Sequence, residues 1–310
     1  MTEPVTIGVL GGCSWIANAA VLPAIGASAH AVVGSVGSRS GSTTYDDVLR
    51  DPANDAVYVA LPNGLHREWV ERAAAAGKHV LCEKPLASST ADVIAMAAAC
   101  DAAGVVLAEA YMSPFHPRSA EIAGRLGSGD LGDIRRVDAA FTFRLAEGDN
   151  YRWLPDQGGG ALLDVGIYCL APIICALGIP SGVDAWAVLA PTGVDLTTSA
   201  RLTWLSDTDA SVLVSFELPE RQSLFVAGTG GSLAVDRPYT PGPHDVAYAI
   251  TRPDGAVEQH TTDGANCYVG MIDAFAASVR GRAEWPRPIS DVLAVLGLCE
   301  RINAATEATR

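Results

Sequence analysis

The 310 residues contain no CxxC pair and no HxxxH or HExxH spacing. Zinc ligands usually sit at such short intervals, so no structural or catalytic metal site is expected. The seven cysteines, Cys13, Cys82, Cys100, Cys169, Cys175, Cys267 and Cys299, are odd in number and mostly lie in apolar runs. They read as reduced core thiols of a cytoplasmic protein rather than a disulfide framework. Basic residues are scarce, 21 Lys and Arg against 35 Asp and Glu, and none cluster. That weighs against a nucleic-acid groove; a net charge of −14 mainly aids solubility. The stretch MTEPVTIG lacks a basic segment followed by a long apolar one, so no secretion signal is expected. The most apolar window, 161–179, is interrupted by Asp164 and Pro172 and reads as a buried helix, not a membrane span. Disorder-prone tracts are absent, and 49% apolar residues provide ample core.

What is present in the first third is alternation. Short β-type runs (VTIGVL, AVVGSV, AVYVAL, KHVLC, VVLAEA) alternate with alanine-rich helical segments at 16–26, 64–76 and 89–103. Strands separated by helices of this length form βαβ units, which wind into a parallel sheet through right-handed crossovers. Beyond residue 112 the texture changes. A break at Pro114-Phe115-His116-Pro117 and a strand at 137–144 precede a long helical run ending at Leu177. Repeated β-type stretches between 183 and 259, separated by turn signals, then predict one large, mostly antiparallel sheet. Two helices, near 268–280 and 289–305, close the chain. The expected fold class is α/β: a doubly wound Rossmann-type domain over 1–111 joined to an α+β domain over 112–288. The segment 289–310 is expected to pack back on the first domain.

Gly8, Gly11 and Gly12 cluster where the first strand meets a helix, with Ser14, Trp15 and Ile16 completing the turn. Glycines there let the backbone approach a pyrophosphate lying on the helix N-terminus, although a strict GxGxxG is absent. The second strand ends in Ser38-Arg39, where an acidic residue would bind a ribose diol. A hydroxyl and a guanidinium suit a 2′-phosphate, favouring NADP(H) while leaving NAD(H) open; a plain surface turn is the alternative. Leu61, Pro62, Asn63 and His66 in LPNGLH end the next strand and either line a nicotinamide or form a turn and helix cap. In HVLCEKPLASS an apolar strand ends in Glu83-Lys84-Pro85. A charge at the carboxyl end of a parallel strand is either an ion-pair anchor or a working group. In GGGALLDVGIYCL, Asp164 and Tyr168 are four apart on one helical face. A buried aspartate in so apolar a helix must be paired or working, so Lys84, Asp164 and Tyr168 form a conceivable acid/base set.

Five pieces in order, GVLGG with IA and VLPA, AVYVALPNGLH, AGKHVLCEKPLA, AEAYMSPFHPR and GGGALLDVGIYCL, together resemble the glucose–fructose oxidoreductase/inositol dehydrogenase family. The resemblance covers most of 5–177 and the closing ISDVLAVLGLCERI, and is thin across the strands from 180 to 262. It implies a nicotinamide cofactor and hydride transfer to or from a sugar-like secondary alcohol or ketone. It also implies that Lys84 is the active-site lysine, that Asp164 is the helix aspartate, and that Tyr168 stands where many members carry histidine. The tyrosine is shared with the branch of dihydrodiol and xylose dehydrogenases and ketosugar reductases. By the same resemblance Asn63 and His66 lie beside the cofactor, and Arg152-Trp153 borders nicotinamide and substrate. Glu83 and Lys84 are also expected among the cofactor-binding residues, with Glu83 chiefly a structural partner for its loop.

One departure concerns 39–45, where the family has a longer helix-and-strand segment on the adenosine side. The shortened stretch SRSGSTTY motivates an alternative, a non-catalytic or regulatory cofactor-binding protein; cofactor-assisted elimination or hydrolysis is a third reading. The expected partner is a small polyol, sugar or ketosugar, with neither nucleic acid nor membrane. Strands such as SARLTWL and ASVLVSFEL carry apolar residues on both alternations, which predicts a homodimer or homotetramer built on the open sheet face.

Overall fold

The computed structural model describes residues 3–308 apart from Glu147 and Asp149. The chain divides into two compact units, Met1–Met112 with Asn266–Leu293, and Ser113–Ala265 with Ala294–Arg310.

The first unit is built on β1 (Val5–Leu10), α1 (Leu22–Ala27), β2 (Ala31–Gly37), α2 (Tyr45–Arg50), β3 (Ala56–Val59), α3 (His66–Ala75), β4 (His79–Glu83), α4 (Thr90–Ala103) and β5 (Leu107–Ala110). The strands form a parallel sheet in the order β2-β1-β3-β4-β5. All four residues of β3 are buried, as a central parallel strand covered on both faces requires. The order reverses between β1 and β3, so the crevice beyond their carboxyl ends is the topological switch point where such sheets bind ligands. Local signals set the helix limits. Ser89 caps α4 by accepting the Asp92 N–H, and Gly104 ends it in the left-handed region at φ 66°.

The second unit contains α5 (Pro117–Gly127), β6 (Ile134–Thr142), α6 (Ile167–Leu177), β7 (Gly182–Leu189), β8 (Asp195–Thr203), β9 (Asp209–Ser215), β10 (Arg221–Gly228), β11 (Gly231–Asp236), β12 (Val246–Thr251) and β13 (Val257–Thr262). They form an eight-stranded sheet in the order β13-β12-β11-β10-β6-β9-β8-β7. Only the β6–β9 pairing is parallel. One face buries Val137, Ala139 and Phe141 of β6 and Val212 and Val214 of β9, and α6 packs on it through Tyr168 against Phe141. The other face differs from the apolar surface expected of it. The pleat gives it Arg136, which pairs with Asp138 and with Asp209 at 2.8 Å, while Ser199 and Arg201 are exposed. Trp186 and Phe225 are its exposed aromatics.

Two helices follow, α7 (Cys267–Val279) and α8 (Ile289–Ala308). The sequence reading places α7 in the second domain, but it belongs to the first unit. There Met271, Ile272 and Phe275 are fully buried, Asp273 accepts from Ser28, and Arg280 at the helix end bonds Pro4 O at 2.8 Å and Asp55 at 3.0 Å. An apolar helix face does not encode which sheet it covers. Most of α8, expected to return to the first domain, lies in the second unit, where Arg301 donates to Pro180 O at 2.8 Å. The run Pro155–Leu177 is long and apolar enough to cross a membrane by composition, and 61% of its most apolar window is buried inside the protein.

Candidate active site

In the first unit the glycine turn lies at the switch point. Gly11 has φ +105°, and a side chain there would collide with the Ala60 carbonyl; a Cβ on Gly12 would come within 2.6 Å of Val36 Cγ1. Both N–H groups donate to Gly37 O, at 3.2 and 2.9 Å. The turn is locked from below by Asn18, whose amide donates to Gly12 O and Ser14 O at 2.8 Å each. A π-helical turn, Ala17–Val21, follows, and Trp15 stands 79% exposed beside it. This is a cradle only glycine can form, which fits a dinucleotide pyrophosphate. Gly8 is different. A Cβ there would meet Val48 and Asn54, so this glycine makes room for α2 against β1.

Ser38 and Arg39 follow β2 at the same edge. Ser38 N–H closes a tight loop by bonding Thr43 O at 3.1 Å, and Arg39 is exposed with no ion pair among the described residues. Tyr45 lies against Arg39; burial raises its hydroxyl pKa, while the Arg39 charge and backbone N–H oppose the rise. The shortened stretch does not leave the adenosine side bare. Thr44 and Asp47 form a reciprocal capping box that starts α2, and Tyr45 packs edge-on against Trp69 of α3 with ring centroids 5.0 Å apart. An exposed guanidinium that makes no ion pair among the described residues fits a 2′-phosphate, so the residues present suit NADP(H).

The Leu61-Pro62-Asn63 loop and the Glu83-Lys84-Pro85 loop are tied together by His66. Its ring is fully buried, with Nε2 2.9 Å from Leu61 O and Nδ1 3.0 Å from Pro85 O. Burial holds its pKa below the ordinary value. His66 is therefore packed between the two loops, and its neutral ring, with one N–H, donates to only one of these carbonyls at a time. Glu83 is buried too, accepting the Tyr58 hydroxyl at 2.6 Å and the Lys84 N–H at 3.2 Å. Burial raises its carboxyl pKa, although Tyr58 and Lys84 act the other way. The Lys84–Pro85 peptide is cis, and Lys84 itself is half-buried at the carboxyl end of β4. Next along the loop, Leu86 N–H donates to Glu109 Oε1 at 3.0 Å, and Glu109 Oε2 accepts Arg287 Nε at 2.7 Å. Glu109 and Arg287 escaped the sequence reading because 178 positions separate them.

The second unit holds Arg152, Trp153, Asp164 and Tyr168. The glycine run 158–160 explains how the Tyr151–Trp153 turn reaches the helix: a side chain on Gly159 would strike Arg152 O, and one on Gly160 (φ +109°) would strike Asp195. Gly160 N–H instead donates to Arg152 O at 3.0 Å. Asp195, 33 residues downstream, accepts Leu162 N–H at 2.9 Å and caps the helix start. A π-helical turn, Leu162–Gly166, carries Asp164; such turns recur at functional sites. Asp164 is 3% exposed and grips Arg152 with two bonds, Nε to Oδ2 at 2.7 Å and Nη2 to Oδ1 at 3.0 Å. Arg152 also lies over the Tyr151 ring at 4.9 Å. Trp153 Nε1 donates to Ala146 O at 3.2 Å. Tyr168 is 7% exposed in an aromatic box with Phe141 (5.5 Å) and Tyr239 (6.2 Å). The buried Arg118 fixes the Tyr239 segment by donating to the carbonyls of Asp236, Arg237 and Ala247.

Comparison with known proteins agrees with both halves. The family model described as "Oxidoreductase family, NAD-binding Rossmann fold" matches residues 17–111, and the one described as "GFO/IDH/MocA C-terminal domain" matches 120–234. D-xylose 1-dehydrogenase (NADP(+)) 2 of Haloferax volcanii is 37% identical, covering 90% of each chain. The dTDP-3,4-didehydro-2,6-dideoxy-alpha-D-glucose 3-reductase of Streptomyces violaceoruber is 34% identical over 97% of this chain and 94% of its own. A crystal structure of a 3-ketoreductase from Actinomadura kijaniata, in complex with NADP and TDP-benzene, superposes with TM-score 0.90, 29% identity and 98% of each chain. The chain belongs to the GFO/IDH/MocA family of oxidoreductases, the glucose–fructose oxidoreductase/inositol dehydrogenase family that its motifs resemble.

Proposed function

We propose that the protein is an NADP(H)-dependent oxidoreductase acting on a sugar-like secondary alcohol or the corresponding ketone. The observation that carries this reading is the pairing of a glycine-only cradle at the switch point with the exposed Arg39, which makes no ion pair among the described residues. The named relatives, an NADP(+)-linked xylose dehydrogenase and a dTDP-ketosugar reductase, support the substrate class. When bound, NADP(H) supplies or receives the hydride. Gly11 and Gly12 shape the turn on which the pyrophosphate lies, with Ser14, Trp15 and Ile16 at the helix start. Ser38 and Arg39 hold the 2′-phosphate, and Leu61, Pro62 and Asn63 flank the nicotinamide. Tyr168 gives or takes the proton on the substrate oxygen, and the Lys84 ammonium steadies developing oxyanion charge. His66 and Glu83 keep these loops in place. We further propose a cytoplasmic homodimer or homotetramer; the uncovered face of the eight-stranded sheet, with Trp186 and Phe225 exposed, supports that assembly.

The test is a fluorescence titration with NADPH and NADH beside an absorbance assay over sugars and ketosugars. NADPH binding with cofactor-linked turnover of at least one compound is expected. Binding of neither cofactor at roughly millimolar concentration, far weaker than a working site, overturns the proposal.

A further inference from the structure

The helix that carries Asp164 and Tyr168 begins with a π-helical turn, Leu162–Gly166, and continues as α-helix from Ile167. Three links close a circuit around that turn. Arg152 O accepts Gly160 N–H at 3.0 Å, Gly160 O accepts Asp164 N–H at 3.2 Å, and Asp164 returns to Arg152 through the two-bond fork of carboxylate and guanidinium. Asp195 ties this circuit to the sheet. It is the first residue of β8, and its Oδ2 accepts both Leu162 N–H at 2.9 Å and the Thr198 hydroxyl at 2.7 Å. Thr198 lies on the same strand and is 1% exposed, so the carboxylate is held from the sheet side as well as from the helix side. Gly160 leaves room for it: at φ +109°, a Cβ there would lie 2.1 Å from Asp195 Oδ1. Glycine has no side chain with which to cap the helix, and a carboxylate from a distant strand takes that role.

We propose that Asp195 is a positioning residue: by fixing the start of the π-helical turn on β8, it sets the register in which Asp164 meets Arg152 and Tyr168 enters its aromatic box. The inference rests on the reading of Tyr168 as the proton-transferring group. A π turn spends one residue more than an α turn, and such turns are rare inside α-helices, so this one must be held at both ends against relaxation. The far end is held by Tyr168, whose ring packs 5.5 Å from Phe141 and 6.2 Å from Tyr239. The near end is held by Asp195 through Leu162 N–H. Relaxation to α geometry would slip the start by one residue, a rotation of about 100° around the helix axis. That rotation would carry the Asp164 carboxylate away from the Arg152 guanidinium. Keeping a carboxylate in this partly buried place is unfavourable by itself. Burial raises the Asp195 pKa, and the Thr198 hydroxyl and the Leu162 N–H act against that rise. The donors that stabilise the carboxylate are thus those of the helix start and of its own strand.

The test compares Asp195→Ala, which removes the acceptor, with Asp195→Asn, which keeps one at similar size. Circular dichroism and NADPH affinity first establish that each variant is folded. In folded Asp195→Ala, kcat with the most active sugar or ketosugar is expected to fall by about ten- to a hundredfold, the scale of a small misplacement of a reacting group. KM and NADPH affinity are expected to stay close to those of the parent, and Asp195→Asn to recover most of the lost rate. Amide hydrogen exchange over 162–168 is expected to quicken by about fivefold in Asp195→Ala, the scale of a lost helix cap, while α4 exchanges as in the parent. A parent-like kcat in folded Asp195→Ala overturns the inference, as does an Asp195→Asn variant as slow as Asp195→Ala. Where Asp195→Ala does not fold, Thr198→Val decides. It leaves the carboxylate and removes the hydroxyl that orients it, so kcat is expected to fall severalfold at unchanged KM, and a parent-like kcat overturns the inference. Failure of the functional reading looks different: Tyr168→Phe would then retain full turnover, while exchange over 162–168 would still quicken in Asp195→Ala.

Discussion

Arg287→Ala probes the brace beneath the lysine loop, and the structure sets its magnitude. Glu109 is 3% exposed. It receives two bonds, from Leu86 N–H at 3.0 Å and from Arg287 Nε at 2.7 Å. Arg287 also lies over the Tyr111 ring at 4.5 Å. Burial opposes the Arg287 charge, but Glu109 and Tyr111 more than compensate and raise its pKa. Removing Arg287 leaves a buried carboxylate with one backbone donor. Breaking a buried pair in this way costs about 3–5 kcal/mol, a large share of the roughly 5–15 kcal/mol that holds a protein folded. Urea unfolding should show the midpoint falling with little change in slope. Arg287→Met/Glu109→Gln should be less damaging than Arg287→Ala, because no charge is stranded and the Leu86 N–H keeps an acceptor. Leu86 is two residues beyond Lys84, so kcat in Arg287→Ala should also fall, by about ten- to a hundredfold, from misplacement of the loop. NADPH affinity should stay within a fewfold of the parent. A loss under about 1 kcal/mol, the scale of an exposed pair, would refute the claim that this bridge holds the loop.

Arg39→Asp should replace attraction for a 2′-phosphate with repulsion, lowering NADPH affinity at least tenfold, about 1.4 kcal/mol, while NADH titrates almost unchanged. Glu83→Gln tests a pH dependence. Burial raises the Glu83 pKa, so the folded protein holds that proton more tightly than the unfolded chain does. Its contribution to stability is full below the unfolded pKa and is lost as pH rises through the folded value. Glu83→Gln, which can still accept the Tyr58 hydroxyl, should therefore gain stability relative to the parent at about pH 7 and show little gain at about pH 4; equal differences at both would remove the argument. Trp186→Glu/Phe225→Glu should shift light scattering from dimer or tetramer toward the monomer mass, and a parent that already scatters as a monomer would end the assembly proposal.

The parallel sheet was legible because every strand in the first third is a short apolar run bounded by helix signals. Ser88 and Ser89 both offered an N-cap for α4, of which Ser89 serves, and Gly104 marked its end. Helix α2 was missed although its signal is local: Thr44 and Asp47 stand at capping-box spacing, but the helix has six residues and little apolar periodicity. The glycine run 158–160 was recognisable as a motif, yet its reason was not. Gly159 and Gly160 are small because Arg152 O and Asp195 crowd them, and Asp195 lies in a strand that shows no sign of serving a helix. His66 read as a cofactor neighbour because LPNGLH ends a strand; only the packed structure shows its ring nitrogens on carbonyls of two loops. The Asp164–Arg152 fork and the Glu109–Arg287 bridge share this property. Side-chain pairing between distant segments leaves no periodic trace, whereas helix and strand patterns do.

The central claim is that Tyr168 transfers the substrate proton in an NADP(H)-linked reaction assisted by Lys84. The most direct measurement is single-turnover NADPH oxidation, with the most active ketosugar from the panel, in the parent, Tyr168→Phe, Lys84→Met and the double variant. The account predicts that each single variant binds NADPH normally and is slower by roughly two to four orders of magnitude, with the double variant little slower than either, as expected of residues acting as one unit. Parent-like rates in Tyr168→Phe would contradict it.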